Sequence, residues 1–501
     1  MSGVCKMRKY LAYAFGTFGH DAFYNTMSIY FMMFITSQLF TSGASAKMVG
    51  MVTAIIVIIR VGEIMFDPMI GGVVDNTNTR WGKFRPWILI GSVVASIGLL
   101  FLFSDYFGLA LNNPTMYLVA LAVSFLVIDV FYSFSDIAIW SLLPAVSLDS
   151  KVRTRFGTAS RIGSTLGAQI VIVIISPAIM FFSHLISKVP FGQETRAGWT
   201  GYVAIVAILC TGGAIIACMN LKEQHNLIRS NVKHTTVTDI FRAIGRNSQL
   251  LWIAASYFLF AFSYVVTNSL LLYYFTYRLG NAGAYTWVGV ITCILGVISV
   301  SLFPALEMLI KRKAIYIGGI AFMLIGYVIF LFAGQSLPMV LVAVAFYFFP
   351  YPLIFLATLM TITDSVEYGQ LINGTRNESV TLSVRPLIDK LAGAASNGIV
   401  GIVAVAAGMT GSAKPSDITA HGIFEFNTFM FYIPIVLLVI AAFIFFAKVN
   451  LTEKRHAEIV KELEARLEKK EVNVDETGSV EQSENNDSNY NTNDLGMNET
   501  R

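Results

Sequence analysis

Long apolar runs alternate with short polar connections along almost the whole chain. Each run is about 20–30 residues long, and a helix of that length crosses a lipid bilayer with some tilt. The pattern predicts twelve membrane-spanning helices, at residues 10–40, 48–72, 86–105, 115–146, 158–184, 199–221, 249–278, 284–308, 314–334, 338–362, 380–410 and 422–448. The sequence therefore predicts an all-α membrane protein.

The longest connection between predicted spans divides them into two groups of six. Such a division is typical of transporters built from two parallel repeats. The tail after the last span begins as a charged amphipathic helix and, from about residue 471, becomes acidic and rich in asparagine, which predicts disorder. We predict an N-terminal six-helix bundle at 1–221, a cytoplasmic central loop at 222–248, a C-terminal six-helix bundle at 249–450 and a cytoplasmic tail at 451–501.

Composition excludes several classes of protein. The chain has 501 residues, of which 55% are hydrophobic and only 13% charged, whereas soluble domains carry about 25% charged residues. The net charge of +4 is spread over short loops, which argues against a nucleic-acid partner and leaves the lipid bilayer as the surrounding medium. The four cysteines have no paired ligand spacing, so we predict no metal site. Because no nucleophile–base pair is recognisable, the sequence predicts neither an enzyme nor a cofactor.

The distribution of basic residues predicts the orientation of the chain. Fifteen Lys and Arg residues fall in the even-numbered connections between spans, and five fall in the odd-numbered ones. Basic loops remain on the cytoplasmic side of a membrane. We therefore expect a multi-pass protein of the cell membrane with both termini in the cytoplasm.

The second predicted span carries three charged residues on one helix face. Arg60, Glu63 and Asp67 follow one another at spacings of three and four residues. A charge at membrane depth costs about 2.5–3.5 kcal/mol on insertion scales, and such residues usually mark an ion or substrate pathway. Two acids and one base can form a site that gains and loses a cation. The alternative is that the three charges only hold neighbouring helices together.

Four other predicted spans also carry ionisable side chains at depth. These are His20 and Asp21 in the first span, Asp129 and Asp136 in the fourth, Arg161 in the fifth, and Arg385, Asp389 and Lys390 in the eleventh. Asp136 lies four residues before Trp140, so the two side chains share a helix face. Because ionised carboxylates accept strong hydrogen bonds from hydroxyls and an aromatic face covers the apolar side of a sugar ring, this pair is compatible with a sugar site.

Each of these residues also has a simpler interpretation. Trp140 is equally compatible with anchoring at the membrane interface. Asp129 is compatible with orienting its neighbours, and a lone histidine such as His20 is more often a plain hydrogen-bonding residue. Arg385 precedes Pro386, where it could satisfy carbonyl groups freed by a kink.

Several long motifs in register carry a resemblance to a known family. They are FGTFGHDAFYN in the first span, RVGEIMFDPMIGGVVDNTNTRWGKFRPW around the second, FYSFSDIAIWSLLPAVSLDSKVR in the fourth and DSVEYGQLINGTRNESVTLSVRPLIDKLAGA before and through the eleventh. Over residues 8–465 the chain resembles the glycoside–pentoside–hexuronide:cation symporters, in particular the lactose and galactoside carriers of lactic acid bacteria and the melibiose carriers. The resemblance implies the major facilitator fold, with twelve transmembrane helices in two six-helix bundles.

The resemblance implies that one group of residues binds the sugar. Asp21 and Asp136 match the sugar-binding aspartates of the melibiose and lactose carriers. Trp140 matches the aromatic residue beside the sugar, and Arg161 an arginine at the same site. His20 stands where relatives have lysine or asparagine, and we include it among the candidate substrate-binding residues.

A second group of residues matches the cation site of the family. Glu63 and Asp67 match its two acids, and Ser133 a hydroxyl near them. Lys390 matches a lysine that links the cation and sugar sites, and we count it with the substrate-binding residues. Glu378 matches a cytoplasmic glutamate that is tied to coupling in the lactose carriers.

Two departures from the family pattern bear on coupling. Sodium-using melibiose carriers have a polar residue immediately before the second acid, whereas this chain has Phe66, which offers no oxygen. The lactose carriers have a histidine three residues before the coupling glutamate, and Thr375 stands at that position here. We therefore expect a proton as the coupling ion, with sodium as the weaker alternative.

The resemblance implies a secondary active transporter of a small-molecule glycoside. The expected substrate is a galactoside of the lactose, melibiose or raffinose type, moved by proton symport or by sugar exchange. A carrier for another glycoside, such as a xyloside or glucoside, is one alternative. A membrane sugar sensor that does not transport is an alternative of another class.

Overall fold

The structure, a computed structural model, describes residues 3–40, 46–191, 193–223, 242, 244–407, 409 and 415–466. Nearly all of these residues are helical, and within those ranges there is no β-strand, only an isolated bridge between Thr79 and Gly82. The predicted all-α class is confirmed. Most of the predicted central loop and the acidic part of the tail lie outside the described residues.

The first half of the chain forms long helices at the six predicted spans. Asn113, Asp149 and Thr195 each accept a hydrogen bond from a backbone N–H of the helix that follows, which fixes where these helices begin. The fifth span was predicted from residue 158, but its helix begins at Ser150 because Asp149 caps it. The helices are α1 (Gly3–Asn25), α2 (Phe31–Phe34), α3 (Ala46–Asn76), α4 (Arg85–Leu102), α5 (Leu109–Asn112), α6 (Pro114–Val146), α7 (Ser150–Ser187) and α8 (Arg196–Asn220).

The second half departs from the predicted limits at one place. The eighth and ninth predicted spans are two helical segments within Thr286–Ala333 that meet at a kink at Lys311, whose φ of 63° and ψ of 159° are not helical. The tenth predicted span is instead divided in two near Pro350, because proline cannot continue a helix without losing a hydrogen bond. The helices are α9 (Ser248–Tyr273), α10 (Thr286–Ala333), α11 (Leu337–Phe348), α12 (Tyr351–Asn373), α13 (Glu378–Ala406), α14 (Ala420–Asn427) and α15 (Ile433–Lys448), followed by a tail helix at residues 453–466.

Many of these helices have the length and composition of membrane spans. Within the described ranges, seven helices or joined helices are long and apolar enough to cross a membrane, and the bent α7 raises the number to eight. The polar residues singled out above lie on α1, α3, α6, α7 and α13.

Glycines allow α1 to pack unusually close to α7 and α8. A Cβ atom added at Gly163 would lie 1.9 Å from the carbonyl oxygen of Ala14, and one added at Gly19 would lie 2.2 Å from that of Leu209. Small residues at such contacts let helix backbones approach each other. The packing fixes the position of Asp21, which lies two residues after Gly19, relative to α7 and α8.

The two halves of the chain meet where α3 ends and α13 begins. Both carboxylate oxygens of Asp75, near the end of α3, accept hydrogen bonds of 3.0 Å from the backbone N–H groups of Ser379 and Val380. A side chain on the first half therefore caps a helix of the second half. Gly71 lies one turn earlier on α3, where an added Cβ would be 2.9 Å from the carbonyl oxygen of Ser379.

Buried charges join the halves at the end of the molecule where the tail helix lies, which we call the tail end. Arg153 of α7 donates to Asp364 Oδ1 at 3.1 Å and also contacts Glu367, both on α12. His456 Nε2 of the tail helix lies 3.3 Å from Glu367 Oε2. Each member of the group is at most 4% exposed. The tail-end cluster consists of Arg153, Arg312, Asp364, Glu367, Arg376, Glu378 and His456.

Apolar packing supports this cluster from the tail side. Leu451, Ile459 and Leu463 of the tail are buried against Leu148 of the first half and Leu371 of the second half. The tail helix thus covers the contact between the two halves. Burial on its own would lower the pKa of the Arg376 guanidinium, but the Glu378 and Glu367 carboxylates outweigh this effect and raise that pKa above its ordinary value.

Candidate functional site

A cavity of about 560 Å³ lies between the two halves of the chain. Its walls come from residues 21–31 on α1, α2 and the segment between them, from α3, α6 and α7 of the first half, and from α13 of the second half. Ile56 and Val57 line it and lie about 30 Å along α3 from Asn76 at the tail end, so the cavity extends towards the opposite end. Its ionisable lining residues are Asp21, Arg60, Glu63, Asp136, Arg161, Arg385, Asp389 and Lys390.

Asp136 contacts three side chains at the part of the cavity where the residues predicted to bind the sugar lie. Its Oδ1 accepts from Trp140 Nε1 at 3.0 Å and lies 3.1 Å from His20 Nε2. Its Oδ2 accepts from Arg385 Nη2 at 3.1 Å. Asp21 also lines the cavity, and its Oδ2 is buried without a hydrogen bond. The two predicted sugar aspartates therefore differ, because Asp136 is held by three side chains whereas Asp21 keeps an unused acceptor.

The second half contributes a carboxylate that the sequence analysis did not include among the site residues. Asp389 accepts hydrogen bonds from Tyr257 at 2.9 Å and from Arg385 at 3.1 Å, and 38% of its side chain is exposed. The four-residue spacing of Arg385 and Asp389 was a visible signal for their pairing. Tyr257 lies in a different span, and its contact had no local signal.

Arg161 faces aromatic rings rather than carboxylates. Its guanidinium carbon lies 4.0 Å from the ring centre of Phe355 and 5.7 Å from that of Tyr351. These distances are typical of cation–π contacts. Its Nε is buried without a hydrogen bond, so it retains a donor beside the cavity.

The residues predicted for the cation site are brought together around Lys390. The Nζ of Lys390 donates to Asp67 Oδ2 at 2.7 Å and Oδ1 at 3.0 Å, and it also contacts Glu63 Oε1. Ser133 Oγ donates to Glu63 Oε1 at 2.8 Å. Phe66 is half exposed and does not line the cavity. In the described ranges, no three His, Cys, Asp or Glu residues are grouped so as to hold a metal ion.

Arg60 and Asp129 extend this group away from Lys390. The Nη1 of Arg60 lies 4.0 Å from Glu63 Oε2 and 4.0 Å from Asp129 Oδ1. Its hydrogen bonds go instead to Tyr24 Oη at 3.3 Å and Ser28 Oγ at 3.1 Å. Asp129 is buried, and neither of its oxygens has a hydrogen bond.

Three candidate residues lie outside the cavity wall. Asp67 is fully buried, and Lys390 donates to both of its carboxylate oxygens. His20 is buried behind Asp136, with its ring stacked on Tyr132 at 4.3 Å, so it contacts the carboxylate and not the open volume. Glu378 lies in the tail-end cluster, where Arg376 Nε donates to it at 2.5 Å. Thr375, three residues earlier, has its hydroxyl 3.3 Å from Asn377 Nδ2.

The sequence matches the family of MFS/sugar transport proteins over residues 12–453. The chain belongs to this family. The lactose permease of Lactobacillus delbrueckii subsp. bulgaricus is 45% identical over 462 residues, which cover 92% of this chain and 73% of that protein. The raffinose carrier protein of Pediococcus pentosaceus is 43% identical over 458 residues, covering 91% and 71% of the two chains. The protein is thus a membrane transporter of the sugar transport family and not an enzyme.

Solved structures of other transporters share the fold of this family member. The MFS transporter FucP in its outward conformation aligns with a TM-score of 0.62 at 14% identity, covering 89% of this chain and 99% of that one. A bacterial homologue of the iron transporter ferroportin in an outward-facing state aligns with a TM-score of 0.61 at 14% identity, covering 88% and 98%. The predicted major facilitator fold is confirmed.

Proposed function

We propose that this family member carries a galactoside of the lactose, melibiose or raffinose type across the cell membrane together with a proton. The observation that carries the proposal is the Asp136–Trp140 pair in a cavity between the two halves, with Asp21 beside it. Similarity to a lactose permease and a raffinose carrier supports a galactoside as the substrate.

The sugar binds with its hydroxyls on the acids and its apolar face on the indole ring. Asp21 offers an oxygen without a hydrogen bond, and Asp136 is oriented by His20 and Arg385. Carboxylates accept short, strong hydrogen bonds from hydroxyls, and Trp140 covers the C–H face of the ring. Arg161 supplies a donor from α7, because its Nε has no hydrogen bond within the chain.

The coupling ion is a proton bound by the acids on α3. Lys390 already donates to both Glu63 and Asp67, so a sodium ion would compete with an ammonium group for the same oxygens. A proton needs only one carboxylate, whereas a metal cation needs several oxygen ligands in a compact shell. Ser133 and Lys390 contact Glu63 and line the same cavity as Asp136, so we infer that they link the proton site to the sugar site.

Transport proceeds by rocking of two six-helix bundles, residues 1–221 and 249–450, about the central cavity. The tail end is the cytoplasmic side, where the central loop at 222–248, both termini and the tail at 451–501 lie. Glu378 belongs to the contacts that close this side. Because the tail-end cluster is intact while the cavity extends away from it, this state is accessible from outside the cell.

Flux measurements on the purified full chain in proteoliposomes test the proposal. We expect rapid exchange of labelled lactose, melibiose or raffinose for unlabelled sugar, and accumulation driven by an inward proton gradient. Exchange restricted to xylosides or glucosides would overturn the galactoside assignment. Sugar binding without any flux would indicate that the protein is a membrane sugar sensor and not a carrier. Accumulation that follows a sodium gradient at constant pH, and ignores a proton gradient, would overturn the choice of ion.

A further inference from the structure

Asp129 on α6 is a buried acid without a donor. It is 1% exposed, does not line the cavity, and neither carboxylate oxygen has a hydrogen bond. A charged side chain in such a position is normally paired and hydrogen-bonded, since burial without a donor is costly. An ionised Asp129 therefore lacks the hydrogen-bond donor that a buried carboxylate needs.

The neighbouring bases do not supply that donor. Lys390 directs its hydrogen bonds to Glu63, Asp67 and Ser133. Arg60 donates to the hydroxyl groups of Tyr24 and Ser28 and remains 4.0 Å from Asp129 Oδ1. Each base is therefore committed to other partners.

The charges of this buried group do not balance. Its members are the bases Arg60 and Lys390 and the acids Glu63, Asp67 and Asp129, which together carry one negative charge in excess when all are ionised. One bound proton makes the group neutral. All three acids are buried, and an uncompensated charge is unfavourable in a buried position.

The position of Glu63 indicates where that proton lies. Glu63 Oε2 is also buried without a hydrogen bond, and it shares a neighbour with Asp129 Oδ1, because Arg60 Nη1 lies 4.0 Å from each of these two oxygens. Two ionised carboxylates can only accept, so they cannot bond to each other, but a protonated carboxyl donates to a carboxylate. A single proton therefore satisfies Asp129 and Glu63 together.

We propose that Asp129 is a proton-binding residue of this carrier and holds the coupling proton against Glu63 Oε2. The inference rests on the proposed proton coupling and extends it to a third acid on a different helix. On binding, the Asp129 carboxylate takes one proton and the group changes from one negative charge to neutral. On release, the proton passes to water on the other side and the negative charge returns.

Variants of Asp129 separate this role from a purely structural one. Asp129→Asn keeps the size of the side chain and can still donate to Glu63, but it cannot bind or release the proton. Asp129→Glu keeps a carboxyl group. Asp105→Asn is the matched control, because Asp105 pairs with Arg196 at 3.1 Å, is partly exposed and lies outside the cavity.

The test measures proton uptake and sugar exchange on the same proteoliposomes. A pH-sensitive dye follows proton entry when lactose is added, and labelled lactose follows exchange. We expect proton entry with the wild type, Asp129→Glu and Asp105→Asn. With Asp129→Asn, we expect the rate of proton entry to fall at least tenfold while lactose exchange persists. The infrared carbonyl band of a protonated carboxylic acid, identified by its shift in heavy water, should disappear in Asp129→Asn.

The outcomes distinguish the inference from the proposal on which it rests. No proton entry with the wild type would overturn proton coupling itself. Proton entry with both the wild type and Asp129→Asn, or an unchanged carboxylic acid band, would overturn the role of Asp129 alone. Loss of exchange as well as proton entry in Asp129→Asn, with a normal amount of folded protein, would assign Asp129 a structural role and overturn the inference.

Discussion

The molecule contains two buried groups of charges that are built in opposite ways. In the tail-end cluster, the arginines and acids meet in close pairs, and none of its members has a fully buried side-chain nitrogen or oxygen without a hydrogen bond. Around the cavity, Asp21, Glu63, Asp129, Arg161 and Arg385 each have at least one buried polar atom without one. Both groups join the two halves of the chain, but only one is complete without a ligand.

The difference separates a structural contact from a binding site. A fully paired buried cluster gains its stability from partners within the chain, and it favours the state in which they meet. A cluster with unused donors and acceptors is stabilised further only when a ligand or proton supplies the missing partners. We therefore infer that the tail-end cluster stabilises the conformation in which its members meet, and that the stability of the cavity group depends on what it binds.

The largest effect on stability is expected from a substitution of Glu367 in the tail-end cluster. Its two oxygens receive hydrogen bonds from Arg153 and Arg376 and a contact from His456. Removing one partner of a buried ion pair costs about 3–5 kcal/mol, because the remaining charge stays buried. Glu367→Gln should therefore lower the thermal stability of the purified protein strongly and open the tail end to water-soluble thiol reagents at an introduced cysteine.

Glu453 provides the control for this experiment. It contacts the same cluster through the backbone N–H of Arg312 at 2.9 Å, but 27% of its side chain is exposed, so water can replace it. Glu453→Gln should have a much smaller effect. Equal thermal stability of the two variants would contradict the distinction between a buried and a peripheral member of the cluster.

The next effect is expected on sugar binding. Asp136→Asn replaces the carboxylate that faces the cavity, and a hydrogen bond to a charged group contributes about 1.5–3 kcal/mol, or more than tenfold in affinity. Asp21→Asn should give a comparable loss. Both variants should stay folded, because the loss concerns the ligand and not the tail end. Equilibrium binding of a labelled galactoside to membranes measures the change, with Asp105→Asn as the unaffected control, and wild-type affinity in both variants would refute the site.

Much of the cavity could be predicted from local spacing in the sequence. Arg60, Glu63 and Asp67 were expected on one helix face and are found together, because three- and four-residue spacings fix neighbours on a helix. The same holds for Asp136 and Trp140. The contact of Lys390 with these acids was indicated only by the family resemblance. Lys390 lies 327 positions after Glu63 and 323 positions after Asp67, so no local spacing connects them.

The tail-end cluster was not predicted, and the reason is physical. Arg153 is separated from Asp364 by 211 positions and from His456 by 303, so no spacing on one helix connects them. Its arginines were interpreted only as basic loop residues that indicate orientation. The break at Lys311, by contrast, could be predicted, because basic residues between two apolar runs indicate an interruption, and the φ and ψ of Lys311 are not helical.

A third effect is expected on coupling, with sugar binding preserved. Glu63→Gln removes one acid from the group around Lys390 and keeps a neutral side chain that resembles the protonated carboxyl. Because the group can then no longer gain and lose its proton normally, uphill accumulation should be lost while exchange of sugar persists. Uptake driven by an imposed proton gradient, compared with exchange at zero gradient, measures this. Wild-type accumulation in the variant would show that Glu63 takes no part in coupling.

The smallest effect is expected from shortening the tail. This experiment tests which part of the tail supports the tail-end cluster. Residues 471–501 are acidic and contain few apolar side chains, so their removal should leave uptake per inserted molecule nearly unchanged. Removal of all residues from 451 onwards should instead reduce stability, because it uncovers Leu148 and Leu371 and takes His456 from Glu367. Uptake and thermal stability of the two truncated proteins provide the measurement. If the shorter deletion abolished uptake although the protein was inserted normally, residues 471–501 would control the carrier. The buried pairs of the tail-end cluster would then not be sufficient to explain its role.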